Sequence, residues 1–201
     1  MKRTLWIAFV AAALLILGLP SAALTETVPD ANTVVTIVET PEQTRAERPP
    51  CFPDPSAQYV PLPEGENIAQ GKPVRSGAHT DVYVVSNVND GKTDTYWESK
   101  GFPAELIVDL EGTYSISSAA VCLNPSSVWE SRIQEIEVLV SADGEAFVPV
   151  AEKAKYTFDP DTGNRVRMDF APVSAAYVKF VFTLNSSSRT GGAQAAEVNV
   201  Y

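Results

Sequence analysis

The chain has 201 residues but only one histidine and two cysteines. Any histidine-dependent catalytic set would have to use His79, and no nucleophile and base stand at a recognisable spacing around it. Zinc sites need several cysteines or histidines close together, and this composition does not supply them. No glycine-rich loop follows a strand and opens a helix, so a phosphate-binding motif is missing as well. The sequence therefore predicts a protein that is not an enzyme.

Basic residues are also few. The chain has 25 acidic and 15 basic residues, which gives a formal net charge of −10. Nucleic-acid binding depends largely on neutralising phosphates with Lys and Arg, so this balance argues against a nucleic-acid partner. The same excess of negative charge argues against docking on an anionic lipid membrane.

The first residues have the pattern of a secretory signal peptide. Lys2 and Arg3 form a positive start, Leu5 to Leu19 form an apolar run, and Ser21-Ala22-Ala23 supply small residues for cleavage. We interpret residues 1–23 as a signal peptide, which predicts a secreted, extracellular protein. An uncleaved membrane anchor is the alternative, although the run is short for a span of about 20 residues.

The composition changes twice along the rest of the chain. Residues 24–65 are rich in Thr, Glu and Pro, and only "TVVTIV" has the character of a strand. We interpret residues 24–65 as an extended linker or stalk. Residues 66–201 are long enough for one domain with a hydrophobic core.

Several segments of this domain alternate apolar and polar residues with a period of two, which is typical of strands with one buried face. Turn signals such as Glu111-Gly112 and Thr162-Gly163-Asn164 separate them. No segment shows a helical period, so the pattern predicts an all-β antiparallel sandwich or barrel. The inward positions are predicted to be Leu106, Val108, Leu110, Ile136, Val138, Val140, Val166, Met168, Phe170, Val178, Phe180 and Phe182.

The order of the motifs is more specific than any one of them. "NIAQGKPV", "NVNDGKTDTYWES", "LIVDL", "SRIQEIEVLVSADGEAFVPV", "YVKFVF" and "AAEVNVY" follow one another. This series resembles the discoidin, or coagulation factor 5/8 type C, domains of the galactose-binding-like superfamily. The resemblance implies an antiparallel jelly-roll β-sandwich of about eight strands, with the first and last strands side by side.

Many bacterial members of that family are non-catalytic carbohydrate-binding modules. The resemblance therefore implies a secreted module that attaches to a polysaccharide or glycan. A cell-surface adhesive or protein-binding discoidin domain, with another extracellular protein as its partner, is the alternative.

Four polar and aromatic loops have the composition of a sugar site, which needs an aromatic face for the ring and donors and acceptors for the hydroxyls. We expect an exposed Trp129 to stack on a sugar while His79 and Arg132 bind hydroxyls, and we expect Trp97 in the core. A structural ion pair for Arg132 and a solvated loop position for His79 are the alternatives. The candidate residues are His79, Tyr83, Glu98, Trp129, Arg132, Asn185, Arg189 and Gln194.

The stretch from Asn87 to Ser99 contains more side-chain oxygens than a turn requires. An EF-hand is excluded, because Trp97 would stand where the bidentate Glu belongs. The family resemblance implies a structural Ca²⁺ between this loop and the last strand, and a metal-free polar turn is the alternative. The implied ligands are Asn87 or Val88, Asp90, Lys92, Thr95, Ala196 and Glu197.

The two cysteines lie far apart in the chain. Cys51 is in the proline-rich segment, and Cys122 is in a predicted strand on the face opposite Val121 and Leu123. Comparable positions in the family look solvent-facing, and secretion permits disulfides. We therefore expect an exposed Cys122 and hypothesise a Cys51–Cys122 bridge, with two free thiols as the alternative.

Overall fold

The computed structural model describes residues 59–201. The predicted signal peptide, most of the predicted linker and Cys51 lie outside this range. The eight strands are β1 (Val74–Ser76), β2 (Trp97–Glu98), β3 (Ala104–Cys122), β4 (Arg132–Ser141), β5 (Val148–Phe158), β6 (Arg165–Asn185), β7 (Gln194–Ala195) and β8 (Glu197–Val200). The 3-10 helices of this range are Val85–Asn89, Ser127–Trp129 and Pro160–Thr162. In residues 59–201, no helix has the length and apolar character needed to cross a membrane.

The strands form two antiparallel sheets. The larger has the order β1-β3-β6-β4-β5, with β8 also paired to β3, and the smaller consists of β2 and β7. The predicted all-β, antiparallel sandwich of about eight strands is confirmed.

Two strands are much longer than the alternating segments from which the sequence predicts them. β3 has 19 residues and β6 has 21, so "RVRMDF" and "YVKFVF" belong to one strand. The turn predicted at Glu111-Gly112 is wrong, because β3 continues through it with a shift of register between Asp109 and Tyr114. Such an irregularity bends a strand without ending it. The first half of β3 can therefore pair with β1 and its second half with β8.

The core follows the predicted alternation. Phe180 and Phe182 in β6 are fully buried, and each large side chain of this kind contributes about 1.5–3 kcal/mol to stability. Phe170 is only half-buried, because the β3–β6 register shifts again beside it, between Ile116 and Ser118. The predicted inward positions that are buried are Leu106, Val108, Leu110, Ile136, Val138, Val140, Val166, Met168, Val178, Phe180 and Phe182.

The start and the end of the domain lie together, but not through the first and last strands. β1 and β8 each pair with β3 rather than with each other. Closure comes from the segment before β1, where the Ile68 N–H donates to the Val200 carbonyl and the Asn67 side chain accepts from the Val200 N–H.

The end of the predicted linker packs on the domain. The Val60 N–H donates to the Thr162 carbonyl at 3.1 Å, and the Arg165 guanidinium lies 5.3 Å from the centre of the Tyr59 ring. Gly163, with φ of 84°, leaves the space that Tyr59 occupies, since a Cβ there would lie 2.9 Å from the ring. The packed region therefore includes residues before 66.

Cys122 is buried, with 5% of its surface exposed, so the expectation that it faces solvent is wrong. It closes β3 between Arg165 of β6 and Glu197 of β8, which cover it from both sides. Burial raises the pKa of the Cys122 thiol to about 12. The Cys51–Cys122 bridge remains a prediction.

The turn between β4 and β5 depends on one carboxylate. Oδ1 of Asp143 accepts hydrogen bonds from the N–H groups of Glu145 and Ala146 and from the Ser141 hydroxyl. These bonds favour the ionised form and lower the pKa of Asp143 to about 2.

We predict that Asp143→Asn lowers the stability of the domain in a pH-dependent way. A depressed pKa in the folded state stabilises the protein above the unfolded pKa of about 3.9, and this contribution is lost as the pH falls toward 2. The difference in urea midpoint between parent and variant should have its largest value above pH 4, and it should decrease between pH 4 and pH 2. Asp161→Asn, at another exposed turn, is the control, and a difference that is independent of pH would contradict the prediction.

Candidate functional site

Pairing of the two shortest strands assembles the candidate site. In the β2–β7 ladder, Glu98 stands opposite Gln194, although 96 residues separate them in the chain. β4 begins at Arg132 and β6 ends at Asn185, and both residues contact Gln194. One end of the sandwich therefore brings together residues from three of the four predicted loops.

The loop that contains His79 and Tyr83 is fastened along β2. The Thr80 N–H donates to the Glu98 carbonyl, and the Glu98 N–H donates to the Tyr83 carbonyl. His79 forms an isolated bridge with Ser99, and its buried Nδ1 has no hydrogen-bond partner among the described residues. His79 is therefore held at the site and is not a solvated loop residue.

A chain of hydrogen bonds runs through the site. Arg132 Nη1 donates to Gln194 Oε1 at 2.6 Å, and Gln194 Nε2 donates to Glu98 Oε2 at 2.8 Å. Arg132 and Gln194 are each only 6% exposed, whereas Glu98 is half-buried. The neutral amide therefore joins a cation and an anion without a direct ion pair between them.

Burial lowers the pKa of Arg132, and the nearby Glu130 carboxylate opposes this effect. An arginine in a protein stays protonated, so the positive charge remains in the site. Within residues 59–201 Arg132 forms no ion pair, so the structural ion-pair alternative is wrong, and its side-chain partner is the amide of Gln194.

Three aromatic rings lie beside this chain. The Tyr83 and Tyr96 rings stack with centroids 4.2 Å apart, and Trp129 meets Tyr96 edge-on at 4.7 Å. The Arg132 guanidinium lies 5.0 Å from the centre of the Trp129 ring. We call Tyr83, Tyr96 and Trp129 the aromatic cluster. Burial, reinforced by a hydrogen bond with Tyr83, raises the pKa of Tyr96, so its hydroxyl stays neutral.

Three predicted contact residues are placed differently from the expectation. Trp129 is half-buried and packs against the core, so it is not freely exposed. Arg189 forms an ion pair with Glu130 at 2.6 Å and joins two loops. Asn185 donates to the Gly192 carbonyl and to Gln194, which also gives it a holding contact.

The structure adds two residues that sequence reasoning missed. Tyr96 is the centre of the aromatic cluster, and Gln134, fully buried in β4, holds the backbone of Gln194. Alternation could have identified Tyr96. Successive side chains of a strand point to opposite faces, so both neighbours of the buried Trp97, Tyr96 and Glu98, point away from the core. Gln134 is in phase with Ile136 and Val138, so the alternation already places it on the inward face, but its polar side chain gives no sign of its partner.

The loop from Asn87 to Ser99, which we call the acidic loop, contacts the last strand as expected. Glu197 Oε1 accepts from the N–H groups of Gly91 at 2.8 Å and of Lys92 at 2.9 Å. Asp90 accepts from the Lys92 N–H and from the Thr95 hydroxyl. Gly91 has a φ of 81°, which glycine adopts without strain.

Two carboxylates therefore lie close together. Burial raises the pKa of Glu197 to about 7, and the neighbouring Asp90 adds to this effect while the N–H groups of Lys92 and Gly91 oppose it. No group of three or more His, Cys, Asp or Glu residues occurs within residues 59–201, so further cation ligands would be hydroxyl or carbonyl oxygens. Hard oxygens with two negative charges suit Ca²⁺.

Two other implied ligands, Asn87 and Ala196, form hydrogen bonds with backbone carbonyl groups. The Asn87 side chain donates to the Tyr96 carbonyl and so ties the acidic loop to the aromatic cluster. The Ala196 N–H donates to the Cys122 carbonyl, which places Ala196 beside the end of β3.

Residues 87–180 match the model of a family described as an F5/F8 type C, NedA-like, galactose-binding domain. The resemblance inferred from the motif order is thereby confirmed. No curated protein sequence matches the chain.

Solved structures of carbohydrate-binding modules share the fold of this domain. CpGH89CBM32-5 from Clostridium perfringens, in complex with GalNAc-β-1,3-galactose, is 25% identical over 64% of this chain and 94% of that chain, with a TM-score of 0.54. The CBM32 of AlyQ, in complex with 4,5-unsaturated mannuronic acid, is 22% identical over 64% and 93%, with a TM-score of 0.53. Chitosan-binding module 1 of a Paenibacillus sp. IK-5 chitosanase/glucanase is 19% identical over 68% and 99%, with a TM-score of 0.53.

We predict that Gly192→Ala disrupts the candidate site. A Cβ at Gly192 would overlap the carbonyl oxygen of Ser99, which is backbone and cannot move aside cheaply. Overpacking of this kind costs about 1–3 kcal/mol. Gly191→Ala is the matched control, because a Cβ there meets nothing within 4 Å. Urea unfolding should separate the two variants, and equal midpoints would contradict the prediction.

Proposed function

We propose that the domain is a non-catalytic carbohydrate-binding module that attaches a secreted protein to a polysaccharide or glycan. The observation that carries this proposal is the Arg132–Gln194–Glu98 chain beside the aromatic cluster. Such an arrangement offers a ring face to the apolar side of a sugar, and fixed donors and acceptors to its hydroxyls.

The charge of the site favours an uncharged sugar. Glu98 and Arg132 carry one negative and one positive charge, and the neighbouring Arg189 is balanced by Glu130. Glu98 has a carboxylate oxygen that is not engaged by Gln194, so it is the acceptor best placed for a sugar hydroxyl. Arg132 is too deeply buried to be the main contact with a sugar. We propose instead that it holds Trp129 and Gln194 in position.

The fold comparison supports a carbohydrate as the ligand. The Clostridium perfringens module, the most nearly identical of the three described above, was solved with a disaccharide bound. Secretion rests on the signal-peptide pattern, and the lack of catalysis rests on the missing nucleophile and base in the sequence.

One observation favours the alternative, an adhesive domain that binds a protein. Val82 and Val128 are 67% and 55% exposed and belong to the loops that hold Tyr83 and Trp129. Aliphatic side chains at a rim suit a protein surface better than a sugar hydroxyl.

We predict that Glu98→Gln and Trp129→Ala weaken glycan binding by about tenfold or more, since each removes one or two contacts worth about 1 kcal/mol. Trp129→Ala should also lower the melting temperature, because the ring packs on the core, whereas Glu98→Gln should not. Tyr114→Ala is the aromatic control, since Tyr114 is exposed on β3 away from the site.

A glycan array followed by calorimetry measures these effects. Retention of glycans by both site variants at the parent affinity would show that the site lies elsewhere. A parent protein that binds no glycan but captures an extracellular protein would favour the adhesive alternative.

A structural Ca²⁺ is the second part of the proposal. Asp90, Thr95 and Glu197 would supply side-chain oxygens, with carbonyls from residues such as Lys92 completing the shell. The ion would neutralise the two carboxylates and hold the acidic loop against β8.

We predict that Ca²⁺ raises the melting temperature and EDTA lowers it. A ligand present at 100 times its dissociation constant stabilises the folded state by about 2.7 kcal/mol. Asp90→Asn should remove this dependence, whereas Asp94→Asn, in the same loop but outside the proposed ligand set, should keep it. Equal melting temperatures of the parent protein in EDTA and in Ca²⁺ would rule out the ion.

A further inference from the structure

A trough crosses the outer face of the larger sheet, away from the aromatic cluster. It consists of two adjoining cavities of about 380 and 290 Å³, a size range typical of ligand sites. The two cavities share Arg75, Ile107, Gly144 and Glu145, so they form one continuous feature, which we call the sheet trough.

The turn between β4 and β5 forms one wall of the sheet trough. Arg75 Nη2 in β1 donates to the Gly144 carbonyl in this turn at 3.3 Å, so the side chain crosses the trough above Ile107. Gly144 lies over the Tyr177 ring, where a Cβ would be 3.1 Å from it. The wall is therefore held in place by contacts from two other strands.

The lining of the sheet trough has the same chemical mixture as the loop site. Tyr177 and Phe147 supply aromatic surface, and Lys179 Nζ lies 4.1 Å from the centre of the Phe147 ring. Arg75 is exposed and uses one of its five N–H groups on Gly144, which leaves donors for another partner. Glu145, also exposed, supplies an acceptor on the opposite wall.

One end of the sheet trough lies near the loop that leads to the proposed sugar site. Gly77 lines its upper end, and His79, which bridges to Ser99, follows two residues later. Two residues of extended chain span about 7 Å. Gly77 therefore lies within about 7 Å of His79, so a linear ligand that extends past His79 would reach this end of the trough.

The charges of the sheet trough select the ligand. Four carboxylates and two cations line it, which leaves an excess of negative charge: Glu105, Asp109, Asp143 and Glu145 against Arg75 and Lys179. A polyuronate would be repelled by this excess, whereas an uncharged chain would find donors and acceptors.

We infer that the sheet trough is a second subsite for the same glycan, and that it binds the continuation of an uncharged polysaccharide chain whose end occupies the loop site. This inference rests on the proposed function, because the loop site must first bind a sugar. The trough then makes affinity depend on chain length.

The test compares disaccharides and hexasaccharides of cellulose, β-1,3-glucan, β-1,4-galactan and β-1,4-mannan by calorimetry, with hexagalacturonate as the anionic probe. The trough variant is Arg75→Ala/Glu145→Ala. The charge-matched control is Glu152→Ala/Lys153→Ala on the exposed surface of β5. Circular dichroism establishes that both variants are folded.

We expect the parent and the control to bind one neutral hexasaccharide about tenfold more tightly than its disaccharide, as one or two added hydrogen bonds would provide. The trough variant should bind the disaccharide like the parent and lose most of this gain. Hexagalacturonate should bind no better than the disaccharide.

Three results would overturn the inference. The proposed function would stay intact in each case, provided that Glu98→Gln still weakens disaccharide binding. The three results are a parent without a length gain, a trough variant that keeps the gain, and a preference for hexagalacturonate. A trough variant that keeps the length gain but changes the sedimentation behaviour would identify the trough as a contact between copies. If no oligosaccharide binds at all, the proposed function fails and the inference fails with it.

Discussion

The buried side-chain amide of Gln134 holds the backbone of Gln194, and the functional end of the domain depends on this contact. Gln134 Nε2 donates to the Gln194 carbonyl, and its Oε1 accepts from the Gln194 N–H, both at 2.9 Å. β4 already pairs with β5 and β6 on its two edges, so a side chain is its means of reaching β7. Leaving this buried amide without partners would cost about 1–3 kcal/mol. Gln134 and the backbone of Gln194 therefore hold each other in place.

The binding surface is built outward from that fixed point. The Gln194 side chain sets the positions of Glu98 and Arg132, and Arg132 in turn supports Trp129. Tyr96 then packs between Trp129 and Tyr83, so each ring is held by a neighbour. Side chains that are already ordered lose little conformational freedom when a ligand binds, and this lowers the cost of association.

The predicted part of the fold depends on local patterns. Leu106 and Phe180 were assigned to the core from alternation alone, because the period of side chains along a strand is a property of a few consecutive residues. Motif order added the family and the antiparallel sandwich. The course of β3 through Glu111 was mispredicted, because a polar pair marks a turn or a bulge equally well, and pairing with neighbouring strands decides between them.

The sequence by itself determined the alternating segments of β3, β4 and β6, most of the core positions, the burial of Trp97 and the set of loops that carry polar and aromatic side chains. Only the tertiary structure decided which of those side chains support the site and which face a ligand. Arg132 and Gln194 are buried, Cys122 is covered by two strands, and Tyr96 stands at the centre of the aromatic cluster. These outcomes depend on contacts between residues far apart in the chain. A pattern of a few consecutive residues does not specify which distant residues they contact.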